Sequence, residues 1–194
     1  MQHENQYQRE DLLTHLIKTK GIERGDFTLS SGRKSDIYFN MKNIILDIHG
    51  AALVADLFIF KMLDHLEEDG MPIDVIGSSL GTGPLLGTML NRSLLWKRMN
   101  PYRDLRGMLI RNAPKGHGLK KQVEWEQIHR SRTLLIDDVM TTGDSMLDLI
   151  SAAEIDTAIV SSIYCIIDRG DVGSQMTKMG YRFYSIFNEE DFAQ

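Results

Sequence analysis

The sequence predicts an α/β fold in which a mainly parallel central sheet is flanked by helices and carries a small N-terminal hood. Short apolar runs of strand length alternate with longer segments whose apolar residues recur at helical spacing. Such alternation requires crossover connections between parallel strands. The length of 194 residues is typical of one domain. We therefore expect a single domain, residues 1–194, with a hood over about 1–45 and a core over about 46–194.

The individual elements follow from the same patterns. Apolar residues at helical spacing predict a first helix over residues 7–20, and the hood continues with short strands at 27–29 and 37–39. The pattern then predicts core helices at 51–67, 85–95, 146–153 and 171–179, and core strands at 73–77, 108–110, 133–136, 158–167 and 183–187. Ligands of open α/β sheets bind at the carboxyl ends of the strands, where we expect the site.

Charge and composition exclude several classes of function. The chain has 22 Lys and Arg against 27 Asp and Glu, a formal charge of -5, whereas binding a nucleic-acid backbone needs a basic face. The first ten residues are polar, and the most apolar window, 51–60, is too short to span a bilayer. The single cysteine, Cys165, forms no internal disulfide, which fits a reducing compartment. We expect a cytoplasmic protein that binds neither nucleic acid nor membranes.

The strongest local signal is the segment 134–145. An apolar strand leads into an acidic pair, then into a turn rich in hydroxyl groups, and then into a helix. Hydroxyl donors, a glycine and a helix N-terminus together favour an anion such as phosphate. The turn residues that supply these groups are Thr141, Thr142, Gly143 and Ser145.

The acidic pair, Asp137 and Asp138, would repel a phosphate, because like charges repel. We therefore expect the pair to bind a different group. A ribose diol, a ribose-bound Mg²⁺, or both would suit two carboxylates, so the pattern predicts a sugar phosphate. The alternative is a strand end with an aspartate N-cap and no ligand. No Gly-Lys-Ser/Thr follows, which excludes a Walker loop, and Gly87 falls one residue late for a dinucleotide fingerprint that starts at Gly81.

A second signal is the basic stretch over residues 111–125, which has three interspersed helix breakers and no apolar period. Structureless loops of this length inside a compact domain are usually functional. Its cations would suit a polyphosphate, and its glycines would permit closure over a substrate. Solvated surface charge is the alternative interpretation. The cations and the histidine are Arg111, Lys115, His117, Lys120 and Lys121.

Segment 134–145 resembles the phosphoribosyl-pyrophosphate (PRPP) signature of type I phosphoribosyltransferases. Three further segments resemble those of the orotate phosphoribosyltransferase family: residues 27–40 its hood, residues 111–118 its mobile catalytic loop, and Asp168-Arg169 an orotate-contacting pair. The resemblance runs in order from about residue 25 to 192. It implies a type I phosphoribosyltransferase-like fold and transfer of 5-phosphoribosyl from PRPP to orotate, giving orotidine 5′-phosphate and pyrophosphate in pyrimidine (UMP) biosynthesis.

The resemblance also implies roles for individual residues. Catalytic roles fall on Arg111, Lys115, His117, Asp137 and Asp138. PRPP binding falls on Ser30, Leu80, Gly81, Arg111, Asn112, Lys115, His117, Asp137, Asp138, Val139, Met140, Thr141, Thr142, Gly143, Asp144 and Ser145. Orotate binding falls on Tyr38, Phe39, Thr141 and Arg169. The implied cofactor is Mg²⁺, carried by PRPP and contacting Asp137 or Asp138 through water. The implied assembly is a homodimer whose loop 111–125 reaches the neighbouring site.

The chain departs from the family pattern at three places where members carry lysines. Asn112, Ser30 and Gly81 stand at these positions, so the phosphate site lacks up to three cations. Each lost charge-assisted contact costs about 1.5–3 kcal/mol. Two alternatives therefore stay open: a phosphoribosyltransferase for another nucleobase, and a PRPP-sensing regulator without turnover. Against the regulator, about 25 residues before the hood are too few for a winged-helix domain.

Overall fold

The computed structural model describes residues 2–29, 32–96, 105–111, 122–124 and 129–193. Its helices are α1 (Gln2–Leu16), α2 (Lys42–Ile45), α3 (Ile48–Asp69), α4 (Gly83–Trp96), α5 (Asp144–Ile155) and α6 (Val172–Lys178). Its strands are β1 (Ile22–Thr28), β2 (Lys34–Phe39), β3 (Val75–Ser79), β4 (Arg106–Ile110), β5 (Val123–Glu124), β6 (Arg132–Met140), β7 (Ile159–Asp168) and β8 (Arg182–Asn188). Short 3-10 turns lie at Leu80–Thr82 and Glu189–Phe192.

A six-stranded sheet with the order β5-β4-β3-β6-β7-β8 forms the centre of the described chain. Its neighbouring strands run parallel, except that β4 and β5 are antiparallel. The prediction of a mainly parallel sheet flanked by helices is confirmed. Strand β5 corrects the prediction of a structureless stretch over 111–125, because Val123 pairs with Ile110 and Glu124 pairs with Leu109.

Strand β6 is longer than the sequence predicts. The expected strand ends at residue 136, but the observed one continues through the acidic pair to Met140. Pairing with β7 is the reason, since Asp137 lies opposite Cys165 and Met140 opposite Asp168. The acidic pair is therefore held in an extended strand and does not belong to the turn that follows.

The N-terminal hood contains an antiparallel hairpin of β1 and β2, as predicted, with longer strands than expected. The helix before it, predicted over residues 7–20, ends in a π-helical turn at Ile17–Gly21. Two residues of the hairpin, Ile37 and Phe39, are buried in the same apolar cluster as residues of α1 and α3. This packing fixes β2 above the carboxyl edge of the sheet.

Helix α3 illustrates how local chemistry sets element ends. Asp47 begins the helix, because its side chain accepts hydrogen bonds from the backbone N–H groups of His49 and Gly50. Gly70 ends the helix in the left-handed region at φ 67°, a conformation that glycine adopts without steric cost. The helix exceeds the predicted 51–67 by three residues at its start and two at its end.

Apolar side chains cover both faces of the sheet. Successive residues of β6 alternate between two buried clusters: Leu134 and Ile136 pack on the side of α3 and α4, and Leu135 packs on the side of α5. Burial on both faces explains why the strands read as continuous apolar runs. Cys165 is a buried free thiol whose pKa is raised well above its ordinary value by that burial. Within the described residues, no helix combines the length and apolar character that crossing a membrane requires.

Candidate active site

A cavity of about 340 Å³ opens where β3, β4 and β6 end. The parallel strands bring these three carboxyl ends to one edge of the sheet, which is where the sequence predicts the site. The polar side chains that line the cavity come from five separate segments of the chain: Ser79, Arg111, Gln122, Asp137, Asp138, Ser145 and Asp148. The structure thus brings Arg111, the acidic pair and the start of α5 together.

The turn between β6 and α5 has the geometry of an anion site. Gly143 adopts φ 81° directly before the helix, a left-handed conformation that favours glycine. The side chain of Thr142 donates a hydrogen bond to Asp144 Oδ2 at 2.8 Å. Because α5 is twelve residues long, its N-terminus adds a favourable field for a phosphate at this turn.

The acidic pair is held close to its own backbone. The N–H of Asp138 donates to Asp137 Oδ1 at 3.0 Å, and the N–H of Val139 donates to Asp138 Oδ1 at 2.9 Å. Burial, and then the neighbouring charge of Asp138, raise the pKa of Asp137 to about 7. The site therefore contains a buried carboxyl group whose proton is held more tightly than that of an ordinary aspartate.

Lys42 is a site residue that the sequence analysis missed. From α2 its Nζ donates to Asp138 Oδ2 at 2.8 Å. A Cβ built on Gly81 would lie 3.4 Å from the same Nζ, so the ammonium also covers the turn after β3. Leu80, in that turn, is half-exposed. No motif marks Lys42, because its partner Asp138 is 96 residues away along the chain.

Arg111, to which the resemblance assigns PRPP binding, follows β4 and lines the cavity. Its guanidinium lies 3.4 Å from Glu124 Oε1 on the neighbouring strand. Its Nε is buried and has no hydrogen-bond partner among the described residues. A buried donor without a protein partner is costly, and an anionic ligand would satisfy it.

Arg169 lies below the hood rather than in the cavity lining. Its side chain is 2% exposed and donates to Glu189, to Ser35 Oγ at 3.1 Å and to the carbonyl oxygen of Ile37 at 3.3 Å. The guanidinium also stacks over the ring of Phe39, 4.8 Å from its centroid. Arg169 therefore connects the predicted orotate segment of the hood to the end of β7.

Glu189 holds two arginines together and is a second residue that the sequence analysis missed. Arg33 donates to its Oε2 at 2.6 Å, and Arg169 donates to its Oε1. Partial burial acts to raise the pKa of Glu189, but the hydrogen bonds from the two arginines outweigh it and hold the pKa below its ordinary value. The only sequence signal is an acidic run near the chain end, which does not reveal a partner.

The other residues predicted to contact orotate lie in different surroundings. Phe39 is buried against Phe192, and Tyr38 is 44% exposed and packs on Phe27, so both side chains serve packing. The backbone contact of this strand with Arg169 is made by Ile37. Asp168, which the sequence pairs with Arg169, accepts hydrogen bonds from three backbone N–H groups at the start of α6. A Cβ on Gly170 would lie 2.3 Å from the carbonyl oxygen of Thr141, so the two strand ends touch there.

Four predicted site residues lie outside the described part of the chain. They are Ser30, Asn112, Lys115 and His117. Met140 is described, but its side chain is buried in the apolar cluster beside α5, so only its backbone faces the strand end. The predicted catalytic loop is thus represented in the structure by Arg111 at its start and by residues 122–124.

The chain is similar to known orotate phosphoribosyltransferases. It is 31% identical over 186 residues to that of Rhodopseudomonas palustris strain TIE-1, covering 93% of this chain and 94% of the relative. It is 29% identical over 182 residues to that of Rhodopirellula baltica, covering 93% and 92%. The solved Mycobacterium tuberculosis H37Rv orotate phosphoribosyltransferase in complex with PRPP has a TM-score of 0.68 at 22% identity, covering 96% of this chain and 99% of that one. No family model matches the sequence.

Proposed function

The chain belongs to the orotate phosphoribosyltransferase family, and on that basis we propose that it transfers the 5-phosphoribosyl group of PRPP to orotate. The products are orotidine 5′-phosphate and pyrophosphate, a step of pyrimidine (UMP) biosynthesis. The observation that carries the proposal is the cavity in which the acidic pair and the start of α5 meet Arg111, whose Nε has no hydrogen-bond partner among the described residues. This combination offers separate places for a phosphate, a ribose and a further anion.

Different residues bind the 5-phosphate, the ribose and the pyrophosphate of PRPP. The turn at Gly143 and the N-terminus of α5 bind the 5-phosphate. Asp137 and Asp138 accept hydrogen bonds from the ribose hydroxyls, and their charge favours the positive character that develops on the ribose as the C–O bond to pyrophosphate breaks. Arg111 donates to the leaving pyrophosphate, whose negative charge grows in the transition state.

The hood side of the site receives the base. Arg169 is fixed by Glu189 and by the carbonyl oxygen of Ile37, and its guanidinium with the backbone of residues 37–39 would offer a polar edge to a flat ring with carbonyl groups and a carboxylate. A base bound there would approach the ribose at the carboxyl edge of the sheet, where the acidic pair lies. The nitrogen of the base then forms the new bond as pyrophosphate departs.

The donor set fits Mg²⁺ that arrives with the substrate. Among the described residues, no group of three or more acidic, histidine or cysteine side chains could hold a metal by itself. Mg²⁺ typically binds one or two carboxylates together with substrate phosphates, and Asp137 and Asp138 supply two. When bound, the ion would neutralise pyrophosphate charge.

The proposal extends to the loop and the assembly. Lys115 and His117, with Asn112 beside Arg111, would close on the pyrophosphate and exclude water, which suppresses hydrolysis. Family resemblance favours a homodimer in which loop 111–125 reaches the neighbouring site. The lone buried thiol of Cys165 is compatible with a cytoplasmic location.

The first test is orotate consumption followed by ultraviolet absorbance, with PRPP and Mg²⁺ each omitted in turn. We expect loss of orotate only when both are present. Arg111→Gln should lower kcat/KM about 100-fold, because it removes a charge-assisted contact to the leaving group. Arg106→Gln, at the opposite end of the same strand, is the matched control and should leave turnover unchanged.

The result separates the proposal from its alternatives. Absence of orotate consumption by a protein that still binds PRPP would contradict the proposal. A panel of other nucleobases would then identify another acceptor, and no turnover with any base would indicate a PRPP-sensing regulator.

A further inference from the structure

The cavity is acidic for a site that binds a polyphosphate. Among the described residues that line it, Asp137, Asp138 and Asp148 are carboxylates and Arg111 is the cation. PRPP carries a phosphate and a pyrophosphate, so its binding gains from each positive charge that the described residues add to the Mg²⁺ and loop cations of the proposed function. The inference below rests on the proposed function and concerns the source of that charge.

Lys42 brings an ammonium group to the edge of this cavity. Its Nζ lies 2.8 Å from Asp138 Oδ2, and its side chain is 47% exposed. An ammonium has three N–H donors, and Asp138 accepts one of them. In the described part of the chain Asp138 is the acceptor of this ammonium, so its remaining donors can contact a ligand that enters beside the acidic pair.

The same ammonium lies over the turn that follows β3. A Cβ at Gly81 would be 3.4 Å from Lys42 Nζ and 3.5 Å from Ser79 Oγ, and Ser79 lines the cavity. A long side chain at position 81 would begin in the space that the ammonium uses. The glycine thus leaves room for a cation supplied by α2.

We propose that Lys42 is a pyrophosphate-binding residue. Asp138 positions its ammonium between the ends of β3 and β6, and the free donors contact the pyrophosphate of PRPP and stabilise it as it leaves. The positive charge that the turn lacks at Gly81 is present at the same place in space, carried by a residue of the hood.

Binding of inorganic pyrophosphate with Mg²⁺, measured by titration calorimetry, tests this without a base. Lys42→Met should weaken binding about 10- to 100-fold and raise the KM for PRPP similarly, with a change below about threefold in the KM for orotate. Lys42→Arg should retain most of the affinity. Lys20→Met is the matched control, since Lys20 pairs with Asp47 at 2.7 Å and is 49% exposed.

A charge swap separates contact with pyrophosphate from neutralisation of Asp138. Adding Gly81→Lys to Lys42→Met should restore pyrophosphate affinity to within about threefold of the wild type. Gly81→Lys alone should bring no gain, because two ammonium groups would compete for one place.

Two results would overturn the proposal. One is unchanged pyrophosphate affinity in folded Lys42→Met. The other is a loss in Lys42→Met that Gly81→Lys does not reverse, since the loss would then reflect the pair with Asp138. Because no base is present, either result is independent of whether orotate is the acceptor.

Discussion

Replacing Glu189 by glutamine should destabilise the protein by breaking the contact between the hood and the core. Its carboxylate pairs with Arg169, whose side chain is 2% exposed, and with Arg33, whose side chain is 52% exposed. Removing one partner of a buried pair costs about 3–5 kcal/mol, whereas an exposed pair contributes at most about 1 kcal/mol. Glu189 itself is 26% exposed, which reduces the first cost. We expect a loss of about 2–4 kcal/mol in the free energy of unfolding.

Equilibrium urea unfolding followed by circular dichroism measures this loss. Arg33→Gln should cost less than about 1 kcal/mol, because it removes only the exposed pair. Glu190→Gln, in the same turn but exposed, is the matched control and should change stability by less than about 0.5 kcal/mol. A glutamine variant at 189 as stable as this control would refute the reasoning.

The pH dependence of the same variants adds a second check. The pKa of Glu189 is lower in the folded protein than its ordinary value of 4.5. The unfolded chain therefore binds the proton more readily, so the stabilisation is present above the unfolded pKa and is lost as pH falls through the folded one. The difference between the wild type and Glu189→Gln should shrink in acid. If the difference in free energy of unfolding between the two proteins stays constant as the pH falls, the charge of Glu189 does not cause the stabilisation.

Three further predictions concern the catalytic site. The pKa of Asp137 is about 7 in the folded protein, against an ordinary value of 3.8. Between these pH values the folded state binds the proton more tightly than the unfolded chain, so stability should fall as the pH rises. Asp137→Asn should remove that part of the decline, seen as a higher urea midpoint at pH 8, and should lower turnover. Lys115→Ala should slow orotate consumption strongly while the circular dichroism spectrum stays unchanged. Asn112→Lys should raise kcat/KM for PRPP if the missing cation limits activity, and a steady-state assay without gain would show compensation elsewhere.

The fold was largely predictable because parallel strands buried on both faces leave a clear pattern. Strands β6 and β7 have apolar sequences, and α5 between them has apolar residues at helical spacing. The ends of the strands and helices were less predictable. Strand β6, for example, continues through Asp137 and Asp138, which are residue types typical of loops. Pairing with β7 decides this end, and pairing is a long-range property that local composition does not contain.

The site was predictable where one segment carries it and not where distant segments meet. Strand, acidic pair and glycine turn lie within residues 134–145, so their joint chemistry is visible in sequence order. Lys42 and Glu189 act through partners in other elements, and a lone lysine or an acidic run has the same sequence pattern as a solvated surface. Only the fold brings Lys42 to Asp138.

Counting cations position by position therefore understates the charge of this site. Gly81 stands where some members of the family carry a lysine. A lysine ammonium lies at the end of a flexible four-carbon side chain, however, and can therefore reach one point from several backbone positions. Lys42 reaches the turn at Gly81 from α2, so the substitution moves the charge to another element and does not delete it. What binding requires is positive charge at that point, because the Coulomb energy depends on distance and not on the element that supplies the charge. On the Lys42 proposal, Gly81 costs no affinity for pyrophosphate, whereas the weakening expected from Asn112 stays a prediction.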